Sequence, residues 1–113
     1  MISKELNGCI QFIDDTEGRK FSHWINLSSY SNRGCSANVG YLGNHASYKN
    51  RGQWLNLSPY GCLTPAIINH EMLHALGFSH EQERPDRDRY VKVWFDRIQS
   101  DKKHNFDMIK ARV

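Results

Sequence analysis

Apolar and polar positions along the chain alternate in several short runs, which is the period of β-strands. The strands predicted in this way are 10–12, 24–27, 39–42 and 54–57, and residues 90–94 predict a short extended segment. The segment 28–52 is rich in Ser, Asn and Gly, so it predicts a loop except for the short strand at 39–42. Residues 1–7 predict the end of a helix, and residues 101–106 predict a helical turn.

One longer helix is predicted together with both of its ends. Thr64 is a suitable N-cap, and Pro65 suits the first helical position because its missing N–H has no helical partner there. The helix runs to about Leu76 and ends at Gly77, since glycine accepts the left-handed backbone of a helix C-terminus. The apolar face, predicted to pack against a sheet, consists of Ile68, Met72, Ala75 and Leu76.

The other face of this helix carries the pattern HExxHxxGxxH, filled by His70, Glu71, His74, Gly77 and His80. His70 and His74 are four apart, so they share one helix face and can bind one metal ion. The turn after Gly77 can bring His80 to the same ion. Three protein ligands leave a fourth position for water, which is the arrangement of catalytic zinc sites. The pattern therefore predicts one catalytic Zn²⁺, with Glu71 as general base.

Two other interpretations of the histidines are weaker. Ordinary surface or core histidines would not explain why three of the six in the chain fall at this one spacing. A structural zinc site would need a fourth protein ligand, and no nearby cysteine has suitable spacing.

The residues that follow the motif resemble the astacin family of metzincin zinc endopeptidases. The family pattern HExxHxxGFxHExxRxDRD is matched at every fixed position from His70 to Asp88. Further resemblance lies at residues 9–12, 34–40, 62 and 105–107. It implies an α+β fold, the N-terminal subdomain of a metzincin-type zincin. In that subdomain a twisted mixed sheet with an edge substrate-binding strand packs on the zinc-binding helix.

The resemblance also implies how the chain is organised. Residues 1–113 are expected to be a single, partial catalytic domain from which the C-terminal subdomain, with the methionine turn and a tyrosine, is missing. The expected function is zinc-dependent hydrolysis of polypeptide substrates. The alternative is a truncated, catalytically incompetent fragment that only binds zinc or peptide.

Several residues receive roles from the same resemblance. The substrate is expected to pair as an extra antiparallel strand, and the strand expected to receive it is Gln53, Trp54, Leu55, Asn56 and Leu57. Gly77 and Glu81 are expected to be structural, Glu81 through contact with the freed N-terminus. Cys35 and Cys62 are expected to form a disulfide, and the partner of Cys9 is expected in the missing part. Asp86, Arg87 and Asp88 are interpreted as a structural salt-bridge cluster.

Composition narrows the class of protein further. With 113 residues, 39% hydrophobic and 24% charged, the chain suits one small globular domain. A net charge of +3, with Lys and Arg interleaved among acids, predicts no nucleic-acid site. No apolar run is long enough for a membrane segment, and no signal peptide is visible. Sequons at Asn26 and Asn56, together with the cysteines, favour a secreted, extracellular protein.

Overall fold

The structure, a computed structural model, describes residues 7–16 and 20–110. The chain divides into two compact units, Met1–Phe78 and Ser79–Val113. The predicted helix end over residues 1–7 lies almost wholly outside the described residues. That residues 1–113 fold as a single domain stays a prediction.

The first unit contains a mixed three-stranded sheet within its described residues. Its strands are β1 (Ile25–Ser28), β2 (Cys35–Ala37) and β3 (Gln53–Leu57). In the order β1-β3-β2, β1 runs parallel to β3 and β2 runs antiparallel to it. The predictions of strands at 24–27 and 54–57 are confirmed to within one residue.

The strand predicted to lie at the edge of the sheet is its central strand instead. Leu55 pairs with Leu27 on one side and with Ala37 on the other. A substrate was predicted to pair at the sheet edge with Gln53, Trp54, Leu55, Asn56 and Leu57. This prediction is wrong in placing these residues at the edge, because both sides of β3 are already paired. An alternating pattern identifies a strand but not its place in the sheet, and the neighbour on the far side, β2, lies in the segment predicted as loop.

Two other predicted strands are absent from the described residues: neither 10–12 nor 39–42 is a strand. Phe12 is 45% exposed, so the segment 10–12 has no buried face to pack against the described sheet. Residues 91–94, predicted to be extended, are neither helix nor strand. A strand across 39–42 is prevented at Gly40, whose φ of 74° lies in the left-handed region. The chain pairs earlier instead, at β2.

Asn56, in the middle of β3, holds the connection between β1 and β2. Its side chain is fully buried. Its Oδ1 accepts from the Ser28 hydroxyl at 2.8 Å and from Tyr30 N–H at 2.9 Å. Its Nδ2 donates to the carbonyls of Tyr30, at 2.9 Å, and Gly34, at 2.8 Å. These four bonds fill the capacity of the amide, so this second sequon is not accessible in the folded chain.

A disulfide between Cys35 and Cys62 joins β2 to the segment before the helix, as expected. Cys62 is 1% exposed. By the chain-entropy model, closing a loop of 27 residues stabilises the fold by about 3–4 kcal/mol. Cys9 is exposed and free.

The predicted helix is confirmed as α1, Pro65–Ala75, which contacts β2 and β3. Thr64 caps it, because its Oγ1 accepts from Ile67 N–H at 3.4 Å. The residues of α1 that are buried are Glu71 and His74. The expected apolar face is only half-buried: Ile68, Met72, Ala75 and Leu76. The two buried side chains of α1 therefore belong to the polar motif and not to the expected apolar face.

The second unit consists of short 3-10 helices. They are Glu81–Glu83, Arg87–Arg89, Phe95–Arg97 and Ser100–Phe106. The helical turn predicted at 101–106 is confirmed. No helix in the described part of the chain has both the length and the apolar content needed to cross a membrane.

Candidate metal centre

His70 and His74, which lie one turn apart on α1, bring two imidazole nitrogens together; His74 is buried and His70 is exposed. Their Nε2 atoms lie 3.0 Å apart, and their rings meet nearly at right angles, at 87°. The i, i+4 spacing produces this convergence, since such residues stack on one helix face. The two nitrogens are placed to share one cation.

The hydrogen bond on the other side of His74 fixes which of its nitrogens is available. Nδ1 of His74 lies 2.7 Å from the carbonyl oxygen of Phe78. Because a carbonyl only accepts, Nδ1–H is the donor, and neutral His74 carries its lone pair on Nε2. Metal-binding histidines commonly donate their second ring N–H to a carbonyl in this way. The atom that faces His70 is therefore the one able to bind a metal.

The end of α1 positions this bond. Leu76 N–H donates to the Met72 carbonyl at 3.1 Å, and Gly77 N–H donates to the His74 carbonyl at 2.8 Å. Gly77 has φ of 103°, a left-handed conformation that side chains rarely adopt. The chain therefore reverses within one turn, which places the Phe78 carbonyl beside the His74 ring.

Glu71 lies next to His70 in sequence and is only 4% exposed. Its Oε2 is buried and has no hydrogen-bond partner among the described protein atoms. A buried carboxylate oxygen is costly unless it is paired. A carboxylate oxygen without a protein partner can accept a hydrogen bond from a water molecule, and together with the two imidazole nitrogens it fits a catalytic zinc ion.

His80 is the third histidine of the motif and the second residue of the second unit. It is half-buried, and its Nδ1 lies 3.7 Å from Glu83 Oε2. His80 thus belongs to the second unit, while His70 and His74 belong to the first. All three offer imidazole nitrogen, a ligand that zinc accepts readily.

The motif's continuation forms local ion pairs in the second unit. The Glu81 side chain is 78% exposed and lies 3.3 Å from the Arg84 guanidinium. Arg84 also donates to both carboxylate oxygens of Asp86, at 2.9 and 3.0 Å. The hydrogen bonds from Arg84 hold the pKa of Asp86 below its usual value. Contact of Glu81 with an N-terminus stays a prediction, because residues 1–6 lie outside the described residues.

Arg87 has a role that the sequence did not reveal. It is 6% exposed, and its guanidinium donates to the carbonyl of Gln82 at 2.8 Å and to the carbonyl of Phe106. It also pairs with exposed Asp88 at 3.3 Å. Arg87 thus ties together separate turns of the second unit, whereas the run of alternating charges around it predicted only a salt-bridge cluster.

Comparison with known proteins decides the family. The family model described as Astacin, a family of peptidases, matches residues 1–113. The chain belongs to the astacin family. This is a family of zinc metalloendopeptidases, and its cofactor, zinc, agrees with the three histidines of the sequence motif.

Individual astacin-family relatives support the assignment. The chain is 39% identical over 99 residues to the low choriolytic enzyme of Oryzias latipes, a match that covers 88% of this chain and 32% of that protein. It is 42% identical over 102 residues to meprin A subunit alpha of Rattus norvegicus, a match that covers 90% of this chain and 12% of that protein. The chain therefore spans about a third or less of the length of these two relatives.

A solved structure confirms the expected α+β fold. High choriolytic enzyme 1, a hatching enzyme zinc-protease from Oryzias latipes, matches this chain with a TM-score of 0.70 at 33% identity. The match covers 92% of this chain and 46% of that chain. The mixed sheet and helix are thus those of an astacin-type zincin N-terminal subdomain.

Proposed function

We propose that this protein is a zinc-dependent metalloendopeptidase whose zinc ion is bound by His70, His74 and His80, with Glu71 as general base. The observation that carries the proposal is the pair of converging Nε2 atoms, 3.0 Å apart, with a buried glutamate at the position that follows His70 in the sequence. The His74 Nδ1–H bond to the Phe78 carbonyl supports it, because it directs the free lone pair of His74 toward the site.

When bound, zinc lowers the pKa of a coordinated water and polarises the peptide carbonyl. Glu71 accepts a proton from the attacking water as the new C–O bond forms at the carbonyl carbon. It then donates that proton to the amine nitrogen as the C–N bond breaks. Burial of Glu71 excludes bulk water from this exchange.

For substrate binding, β2 replaces β3 as the proposed docking strand. β2 pairs with β3 on one side and is the last strand on its side of the described sheet. An extended polypeptide can add to such an edge through backbone hydrogen bonds, which demand little of its sequence. The contact of α1 with β2 supports this placement, since the same helix carries His70 and His74.

We propose an extracellular location for the same protein. The disulfide between Cys35 and Cys62 supports it, because such bonds persist mainly in oxidising compartments.

The test of the proposed function is cleavage of denatured casein by the zinc-loaded protein and by Glu71→Gln. The amide keeps the size of the side chain but cannot accept the proton. We expect a loss of about 10²–10⁴-fold in kcat, the usual contribution of a general base, with stoichiometric zinc retained. A chelator should abolish the wild-type activity, and added zinc should restore it.

Asp101→Asn is the matched control, because it removes a carboxylate that is 70% exposed and paired with Lys102 at the surface. Its activity should equal that of the wild type. Wild-type protein that binds zinc but cleaves nothing would favour a chain that only binds zinc or peptide. Unchanged cleavage by Glu71→Gln would contradict the role of Glu71.

A further inference from the structure

The side chain of Gln53 is turned into the protein at the start of β3, where it is 3% exposed. Its Nε2 donates to the Gly40 carbonyl at 2.7 Å. Its Oε1 accepts from Leu42 N–H at 3.1 Å and lies 2.8 Å from Nε2 of His23. A single buried amide therefore holds the segment 40–42 against the sheet.

These contacts allow only one orientation of the amide. The Gly40 carbonyl can only accept and the Leu42 N–H can only donate, so Nε2 and Oε1 of Gln53 cannot exchange places. Because Oε1 is an acceptor, His23 must donate to it from Nε2. No residue with a different arrangement of donor and acceptor reproduces all three bonds.

Gly40 connects this amide to the metal-binding helix. Its N–H donates to the His74 carbonyl at 2.9 Å, while its own carbonyl accepts from Gln53. Gly40 also approaches Gly77, since a Cβ added to Gly40 would lie 3.7 Å from the Gly77 Cα. Both polar groups of Gly40 are thus used, one toward β3 and one toward the last turn of α1.

We propose that Gln53 is a positioning residue for the zinc site: through Gly40 it fixes the main chain of His74 relative to the segment that continues β2. The inference rests on the proposed function, because it concerns the same metal ion and the same edge strand. A positioning role also explains why Gln53 is buried, although the family resemblance predicts it as a substrate-binding residue. Loss of the amide should let the helix end shift and weaken the hold of His74 on the metal.

The experiment compares zinc affinity in Gln53→Glu and Gln53→Ala with that in Asn56→Ala. Asn56 is the matched control, because it is an equally buried amide on the same strand whose bonds go to residues 28–34. All three variants should unfold at lower temperature. Only the Gln53 variants should lose zinc affinity when folded, by about tenfold, the lower end of the usual effect of groups that orient a metal ligand.

The absorption spectrum of the cobalt-loaded proteins gives a second readout. A shift in the visible bands is expected for the Gln53 variants and not for Asn56→Ala, because only the former change the ligand geometry. If zinc affinity falls in proportion to thermal stability in all variants alike, Gln53 is merely structural and the proposal is overturned.

A measurement on the wild type keeps the proposal testable if the variants do not fold. Zinc should slow hydrogen exchange at the amides of Gly40 and Leu42 more than at the amide of Tyr30, which bonds to Asn56. An equal change at all three amides would overturn the proposal. Zinc binding without any cleavage would count against the proposed catalytic function alone, whereas a chain that binds no zinc would overturn both.

Discussion

Replacement of Asn56 by alanine removes a side chain whose hydrogen-bonding capacity is fully used. Its amide makes four hydrogen bonds, to Ser28, Gly34 and both polar backbone groups of Tyr30. Each such bond contributes about 0.5–1.5 kcal/mol net, so four bonds give about 2–6 kcal/mol. Tyr30 is 58% exposed, and water can reach some of the abandoned groups. We therefore expect the free energy of unfolding to fall by about 2–4 kcal/mol.

Urea unfolding followed by circular dichroism, with the disulfide kept oxidised, measures this loss. Asn26→Ala serves as the control, because Asn26 lies in β1 of the same sheet, is exposed, and accepts a bond from the Trp24 indole at 2.8 Å. Its effect should stay below about 1 kcal/mol. If Asn56→Ala costs no more than this control, the buried amide does not organise the loop between β1 and β2.

Three further predictions concern the other stabilising contacts. Reduction of the Cys35–Cys62 disulfide should lower the free energy of unfolding by about 3–4 kcal/mol in urea melts, and an unchanged melt would contradict its role. Arg87→Lys should lower the local stability of the second unit by about 2–3 kcal/mol, because an ammonium cannot replace the forked guanidinium. Hydrogen exchange at residues 79–110 measures this loss of stability, and exchange rates equal to those of the wild type would contradict the prediction. The Asp86 carboxyl should titrate below its ordinary pKa in an NMR titration, and its pKa should return toward the ordinary value in Arg84→Gln. Because the pKa of Asp86 is lowered in the folded protein, the ion pair stabilises the fold above the unfolded pKa, and this stabilisation is lost as the pH falls through the folded pKa. An identical pKa in both proteins would refute the assignment.

The helix and its boundaries follow from local chemistry, which is why the sequence predicted them well. Thr64, Pro65 and Gly77 each act through backbone geometry within one turn of the chain, and the structure shows α1 between them. The sheet order does not follow in this way. Whether β3 lies in the centre depends on β2, a strand of three residues whose pairing and disulfide are long-range contacts.

The candidate site likewise combines local features, which the sequence predicts, with long-range contacts, which it does not. The spacing of His70, Glu71 and His74 on one helix face is a local property, and the converging nitrogens agree with it. The contributions of Gln53 and Arg87 depend on backbone groups 13 and 19 residues away, so no short pattern indicates them. The family resemblance predicts Gln53 as part of a substrate strand, and the neighbouring charges predict Arg87 as part of a salt-bridge cluster.

We propose that three histidine nitrogens, from His70, His74 and His80, bind one zinc ion. X-ray absorption spectroscopy of the zinc-loaded protein, compared with His74→Ala, tests it most directly. We expect three imidazole nitrogens at about 2.0–2.1 Å, one oxygen from water and no sulfur, with one imidazole lost in the variant. A sulfur ligand, or a wild-type spectrum identical to that of His74→Ala, would contradict it.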